Sequence, residues 1–211
     1  MDRETCWQTI EQQRCAIADL LADLSADEWE TPSLCAGWRI REVAAHLALT
    51  PQPPPIGVML GTGIRARGNY NRFIDDLTRR YAKHPATELV SAIHANAGSR
   101  KLPKLTNYRN ILFDTMVHGQ DIAIPLGRTI EIEPAAAAAA AAHAVTIGWP
   151  VWDKHRLDGI RLVASDIDWT HGSGPEIRGP ITALLLVVTG RTAAMGLLAG
   201  DGVAQMTARL R

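Results

Sequence analysis

The chain has 211 residues, with 46% hydrophobic and 21% charged side chains. This is the balance of a soluble globular protein with one core and room for an appended subdomain. Lys+Arg and Asp+Glu both number 22, so the formal net charge is zero and no long-range field draws the chain to nucleic acid or an anionic membrane.

Trp7, Ile10, Ile17, Leu21 and Leu24 recur near helical spacing and predict a helix over 4–24. Ser25 to Glu28 is a capping-box pattern that opens a short turn through Trp29. Thr31 to Gly37 reads as loop. A second helix is expected over 38–49, with Ile40, Val43 and Leu47 on its buried face. Pro51, Pro53, Pro54 and Pro55 end it, because proline lacks the N–H and clashes with the preceding turn. Residues 50–68 contain Gly57, Gly61, Gly63 and Gly68 and read as a loop or broken helix that could form a mobile lid. Helices follow over 69–83 and 86–97, separated by Pro85. A basic connector spans 98–105, and another helix covers 106–125. Pro134, followed by eight alanines, opens a helix that Gly148 and Pro150 close. After Gly159 a weak alternation predicts two or three short strands around a turn at Gly172 to Pro175. Apolar residues 181–188 and residues 203–210 form two last helices. The fold class is mainly α: a helical bundle over 1–155 with a small α+β extension over 156–211.

Cys6, Cys15 and Cys35 supply neither a disulfide framework nor a C-x-x-C motif. The charged start of the chain is not a signal peptide. The longest apolar runs, 135–142 and 183–188, are too short to span a bilayer. A cytoplasmic location is expected. Gly61 to Gly68 lacks phosphate-loop spacing. The basic stretch from Arg65 to Lys83 is broken by Asp75 and Asp76 and reads as a solvated helix face. Trp29, Trp38, Trp149 and Trp152 read as packing residues, with Trp38 close enough to His46 to line a pocket.

Two segments carry chemistry. Cys35 to Leu47 places His46 on a helix, and Asp114 to Asp121 places a carboxylate four residues before His118. Positions i and i+4 share a helix face, so Asp114 and His118 can grip one divalent ion, and His46 could complete three protein ligands. Three N/O ligands leave a position open for water or substrate, as catalytic sites do. Ile111, Asp114, His118 and Ile122 lie on one stripe. A carboxylate among apolar neighbours must be protonated, ion-paired or bound to metal. The competing reading is a plain hydrogen bond between Asp114 and His118, or a pair with Arg109. Asp121, two turns after Asp114, could orient a ligand. His84, His94, His143, His155 and His171 read as structural or surface residues. The ligand types favour zinc, with nickel or iron as alternatives.

The segment from Cys35 to Leu47, read as C-x-G-W-x-I-R-E-V-x-x-H-L, resembles the mycothiol-dependent maleylpyruvate isomerase family of the DinB-like metal-binding superfamily. The segment Asp114-Thr-Met-Val-His118-Gly-Gln-Asp121-Ile122 resembles the family's second motif. Ala164 to Pro175, Ala183 to Leu186, Thr189 to Arg191 and Gly200 to Gly202 also resemble compact members. The resemblance implies a DinB-like four-helix bundle with His46, Asp114 and His118 as metal ligands. Asp114 stands where the best-known isomerase pattern has glutamate, one methylene longer. Longer members carry a larger C-terminal domain resembling sterol carrier proteins, so the short 156–211 tail implies a missing part of the substrate pocket.

The implied activity is metal- and mycothiol-dependent thiol transfer or isomerisation on a small electrophile. Bound to the metal, a thiol is held as thiolate, which adds to a conjugated alkene or an epoxide. The adduct then either rotates and expels the thiol or stays. Arg39, Arg65, Arg72 and Arg109 are candidates to hold a carboxylate, and Arg39 and Arg109 are singled out as cofactor-binding residues. No catalytic residue is assigned beyond the metal site. Cys35 lies in the loop before the His46 helix, and Cys6 and Cys15 read as packing residues. The alternatives are a metal-dependent hydrolase, with hydroxide at the open position, and a non-catalytic metal-binding or stress-response protein. The expected partners are a small-molecule thiol and an electrophilic substrate. The chain is expected as a monomer or as a homodimer formed through the alanine-rich helix.

Overall fold

A computed structural model describes residues 1–52, 56–102, 106–148 and 153–210. Pro53, Pro54, Pro55, Trp149, Pro150 and Trp152, to which helix-ending or packing roles are assigned above, lie outside the described residues.

The protein is mainly helical, with one small sheet. Helix α1 (Arg3–Ala22) buries Ile10, Ile17 and Leu21. Helix α2 (Ala26–Trp29) starts from Ser25 as a capping box: Ser25 Oγ accepts from the Glu28 N–H at 3.3 Å, and the Glu28 carboxylate accepts from the Ser25 N–H at 2.8 Å. Then come α3 (Ile40–Leu49), α4 (Ile56–Ala66), α5 (Tyr70–Tyr81), α6 (Ala86–Ala95) and α7 (Tyr108–Ala123). The end of α7 tightens into a 3-10 turn over Ile124–Leu126, and Gly127 at φ 63° stops it. Helix α8 (Pro134–Ile147) precedes strands β1 (Arg161–Ala164), β2 (Thr170–Gly172) and β3 (Glu176–Gly179) and helices α9 (Ile181–Val188) and α10 (Gly202–Leu210). Two 3-10 segments, Lys154–Leu157 and Thr192–Leu197, have no counterpart in the sequence reading.

Segment 50–68, read as a loop or broken helix, is in its main part helix α4, packed against α5. Each glycine costs a helix interior roughly 1 kcal/mol. Burial of Thr62 and Ala66 works against that cost, and Thr62 Oγ donates to the Val58 carbonyl at 2.8 Å. The break comes only at Arg67 and Gly68, both in the left-handed region. Of the two readings of this segment, loop or broken helix, a helix that breaks at its end is the one present, in place of a lid loop.

By compactness the chain divides into two units. One comprises Trp7–Tyr108 and His118–Ile130. Its core gathers Ile17, Leu21, Trp29, Ile40, Val43, Leu47, Leu89, Ile93 and Ile122. Within it α3 packs against both α5 and α6. Gly119 of α7 lies against Ile17 so closely that a Cβ there would stand 3.2 Å from Ile17 Cδ1. The buried Arg14 donates to the carbonyls of Asn96, Ala97 and Ser99, in the turn that follows α6.

The other unit comprises Met1–Cys6, Arg109–Val117 and Glu131–Arg211. Its sheet has the order β2-β1-β3. β1 pairs antiparallel with β2, Leu162 opposite His171, and parallel with β3, Leu162 opposite Ile177. Helix α9 packs on α8, where Ala136, Ala137, Ala140, Ala141 and Ala144 are buried. An alanine face carries no side-chain entropy to lose and lets a neighbouring backbone come close. Among the described residues, no helix is long and apolar enough to cross a membrane.

Replacing Ser25 with alanine removes the α2 cap and is expected to cost about 1 kcal/mol, read as a lower urea midpoint at unchanged m-value.

Candidate metal centre

Helix α3 is pinned at its start. Arg39 is extended (φ −86°, ψ 173°), and Glu42 reaches back to accept from the Arg39 N–H at 2.9 Å. The Glu42 carboxylate is buried and also accepts from Arg39 Nε at 3.0 Å. The Arg39 guanidinium extends to Glu30, whose second oxygen meets Arg41 Nε at 3.1 Å. Burial pushes the Glu42 carboxyl up, but the hydrogen bonds and charge of Arg39 outweigh it and hold Glu42 below the ordinary carboxylate range. One turn after Glu42 comes His46, half-buried beside the fully buried Ala45 and Leu47.

On α7 Asp114 and His118 lie one turn apart, as their spacing requires. Asp121 is fully buried, and its Oδ2 lies 2.8 Å from His118 Nδ1. That contact selects Nε2 as the nitrogen His118 would offer a metal. The Asp121 carbonyl also accepts from the Leu34 N–H at 3.2 Å, tying the loop before α3 to α7.

The structure brings His46, Asp114 and His118 together. One ligand atom from each lies within 4.8 Å of the others, and the two imidazole centroids are 4.9 Å apart at 71°. Trp38 flanks both rings, with its centroid 5.5 Å from His46 and 6.2 Å from His118. Cys35, His118 and Asp121 form a second such donor set within the same 4.8 Å limit. The sequence placed His118 and Asp121 on one helix and Cys35 in the loop before the His46 helix; that Cys35 meets the other two comes from how this loop packs on α7.

The arginines sit differently. The Arg39 guanidinium is already matched by Glu30 and Glu42, and Arg109 lies exposed on the first turn of α7. Burial pushes the Cys6 thiol up, and burial with Asp19 and Glu11 does the same to Cys15, so both are poor thiolates. The remaining histidines join no metal-capable set among the described residues. His84 pairs with Glu88 at 2.9 Å, His94 with Asp19 at 3.2 Å and His155 with Asp158 at 3.0 Å, all on the surface. His143 meets Asn110, and burial together with Arg109 holds its basicity down. His171 stacks on Trp169.

Residues 10–52, which contain Cys35 to His46, match the family model described as the mycothiol maleylpyruvate isomerase N-terminal domain. No curated protein sequence matches the chain. Among solved structures it is similar to the mycothiol-dependent maleylpyruvate isomerase, with a TM-score of 0.65 and 12% identity over 95% of this chain and 93% of that one. It is equally similar, at 11% identity, to a mutant of that enzyme with one histidine replaced by alanine. At such identity the likeness shows the fold.

Glu42 carries a pH prediction. Its folded pKa is depressed, so its stabilisation is present above the unfolded value of about 4.3 and is lost as pH falls through the folded value. Glu42→Gln is expected to cost roughly 1–3 kcal/mol at pH 7. Urea titrations at decreasing pH should show the gap to wild type closing below about pH 4.

Proposed function

We propose that the chain is a metal-dependent, mycothiol-dependent transferase or isomerase that acts on a small electrophile. The observation that carries this reading is the convergence of His46, Asp114 and His118 within 4.8 Å, with the buried Asp121 on His118 Nδ1. The donor chemistry fits one divalent cation: two neutral imidazoles, one carboxylate, and a second carboxylate that fixes a ring's tautomer. The ligand types favour zinc, with nickel or iron as alternatives. When bound, such a cation keeps a small thiol in its nucleophilic thiolate form at neutral pH.

The chain's own residues then have distinct tasks. Asp121 keeps the Nδ1 proton on His118, so that Nε2 is the ligand. Asp114 supplies the negative charge that two imidazoles lack, and being shorter than glutamate it demands close approach of α7. Trp38 gives the site one apolar wall. Arg39 and Arg109 are the proposed cofactor-binding residues; Arg39 would have to share its guanidinium with Glu30 and Glu42. The names of the similar solved proteins support mycothiol as the thiol and an unsaturated carboxylic acid as the substrate class. We assign the metal site to a 1–155 bundle with 156–211 as its extension. We place the protein in the cytoplasm, where its three cysteines, none of them in a disulfide, stay reduced.

Elemental analysis of gently purified wild type should find stoichiometric metal and His118→Ala should lose it. Turnover of maleylpyruvate or another conjugated acid should require added mycothiol. Equal, near-zero metal in both proteins overturns the reading, and turnover that ignores thiol replaces it with a hydrolase.

Asp121→Asn keeps an acceptor for the His118 Nδ1–H but removes its charge. Metal affinity is expected to fall roughly 10–100-fold, read by chelator competition.

A further inference from the structure

We propose that Asp75 is a positioning residue for the imidazoles of His46 and His118, acting through Trp38. Trp38, His46 and His118 form a cluster of three rings. The indole is tilted 45° to His46 and lies within 30° of parallel to His118, and the two imidazoles meet edge to face. The orientation of the indole therefore limits how either imidazole can turn.

The indole is itself held. Its Nε1–H donates to Asp75 Oδ1, on α5, at 2.7 Å. Arg79, one turn further along α5, donates Nε to both Asp75 oxygens at 2.9 Å. The same guanidinium reaches back to the Gly37 carbonyl at 2.7 Å, next to Trp38 in sequence. The chain of contacts closes on itself: Gly37, Trp38, Asp75, Arg79 and Gly37 again. Gly37 is left-handed at φ 79°, a conformation that other residues rarely adopt. The loop has two more ties, Ser33 Oγ to the Trp38 carbonyl at 2.8 Å and the Leu34 N–H to the Asp121 carbonyl. Burial pushes the Asp75 carboxyl up, while the Trp38 N–H and Arg79 hold it below its ordinary range, so it is ionised at neutral pH.

An anionic acceptor on the indole N–H enriches the ring's π face. An electron-rich face within about 6 Å favours a neighbouring neutral imidazole that a bound cation has polarised, and His46 lies within that reach at 5.5 Å. Asp75 thus steadies the aim of the two rings and favours their loaded state without touching either. This role gives α5 a part in the site, whereas its charges read from sequence as a solvated face. The proposal rests on His46 and His118 being the ligands.

Imidazole proton–nitrogen spectra of the metal-free protein test the orientation, and Co2+ binding by chelator competition tests its consequence. Asp75→Ala is expected to move the ring resonances of His46 and His118 and to leave those of His84, His94 and His155 in place. It should also weaken Co2+ binding roughly 10-fold. Asp75→Asn, which still accepts from the indole N–H, should restore the resonances and most of the affinity. In a Trp38→Phe background, with no N–H to anchor, Asp75→Ala should shift nothing further. Asp75→Ser, too short to reach the indole, replaces the alanine variant if that fails to fold. Unmoved His46 and His118 resonances in Asp75→Ala, or equal shifts with and without the indole N–H, overturn the proposal. Moved resonances in proteins that bind no Co2+, wild type included, would uphold the positioning role and refute the metal reading.

Discussion

A carboxylate cannot be taken wholly out of water without a partner, and Asp121 is wholly out of water. Its partner is His118 Nδ1, and its backbone carbonyl holds the loop that leads into α3. One residue therefore fixes an imidazole by its side chain and by its main chain ties down the segment that carries Cys35 and Trp38. The proposed donor set depends on this double hold, because a freely turning His118 would not present one nitrogen to a cation.

The other half of the set is secured by different means. His46 has its height fixed by the start of α3, where Glu42 and Glu30 grip Arg39. These are partly exposed charges around one buried carboxylate. Exposed pairs contribute little, whereas the buried Glu42 needs Arg39 to offset its desolvation. The ion pairs near the site are therefore better understood as fixing where α3 begins than as general stabilisers.

Helices with clear periodicity or a clear cap were legible in the sequence: α1, the Ser25 box, α7, and the helix after Pro134. Local pattern failed where tertiary packing overrode propensity, as in α4, whose glycines read as a break. The site was legible to the extent that chemistry is local. Asp114 and His118 share a helix face by spacing alone, and Asp121 falls on the same face. That His46 joins them depends on how separate helices pack, which no spacing encodes; the family resemblance supplied it. Asp75 was illegible for the same reason. Its partner is 37 positions away in the chain, and a charged residue in a charged stretch carries no mark of what it will face.

Gly119 stands between His118 and Asp121, and its missing side chain is what lets Ile17 come so near. The interior fit of α1 against α7 and the aim of the imidazole thus share a single backbone position. A Cβ at Gly119 would oblige the Ile17 side chain to give by a few tenths of an ångström beside the helix that carries both His118 and Asp121. Ile17, 101 positions away from His118 in the chain, is thereby coupled through packing to the helix that presents the imidazole.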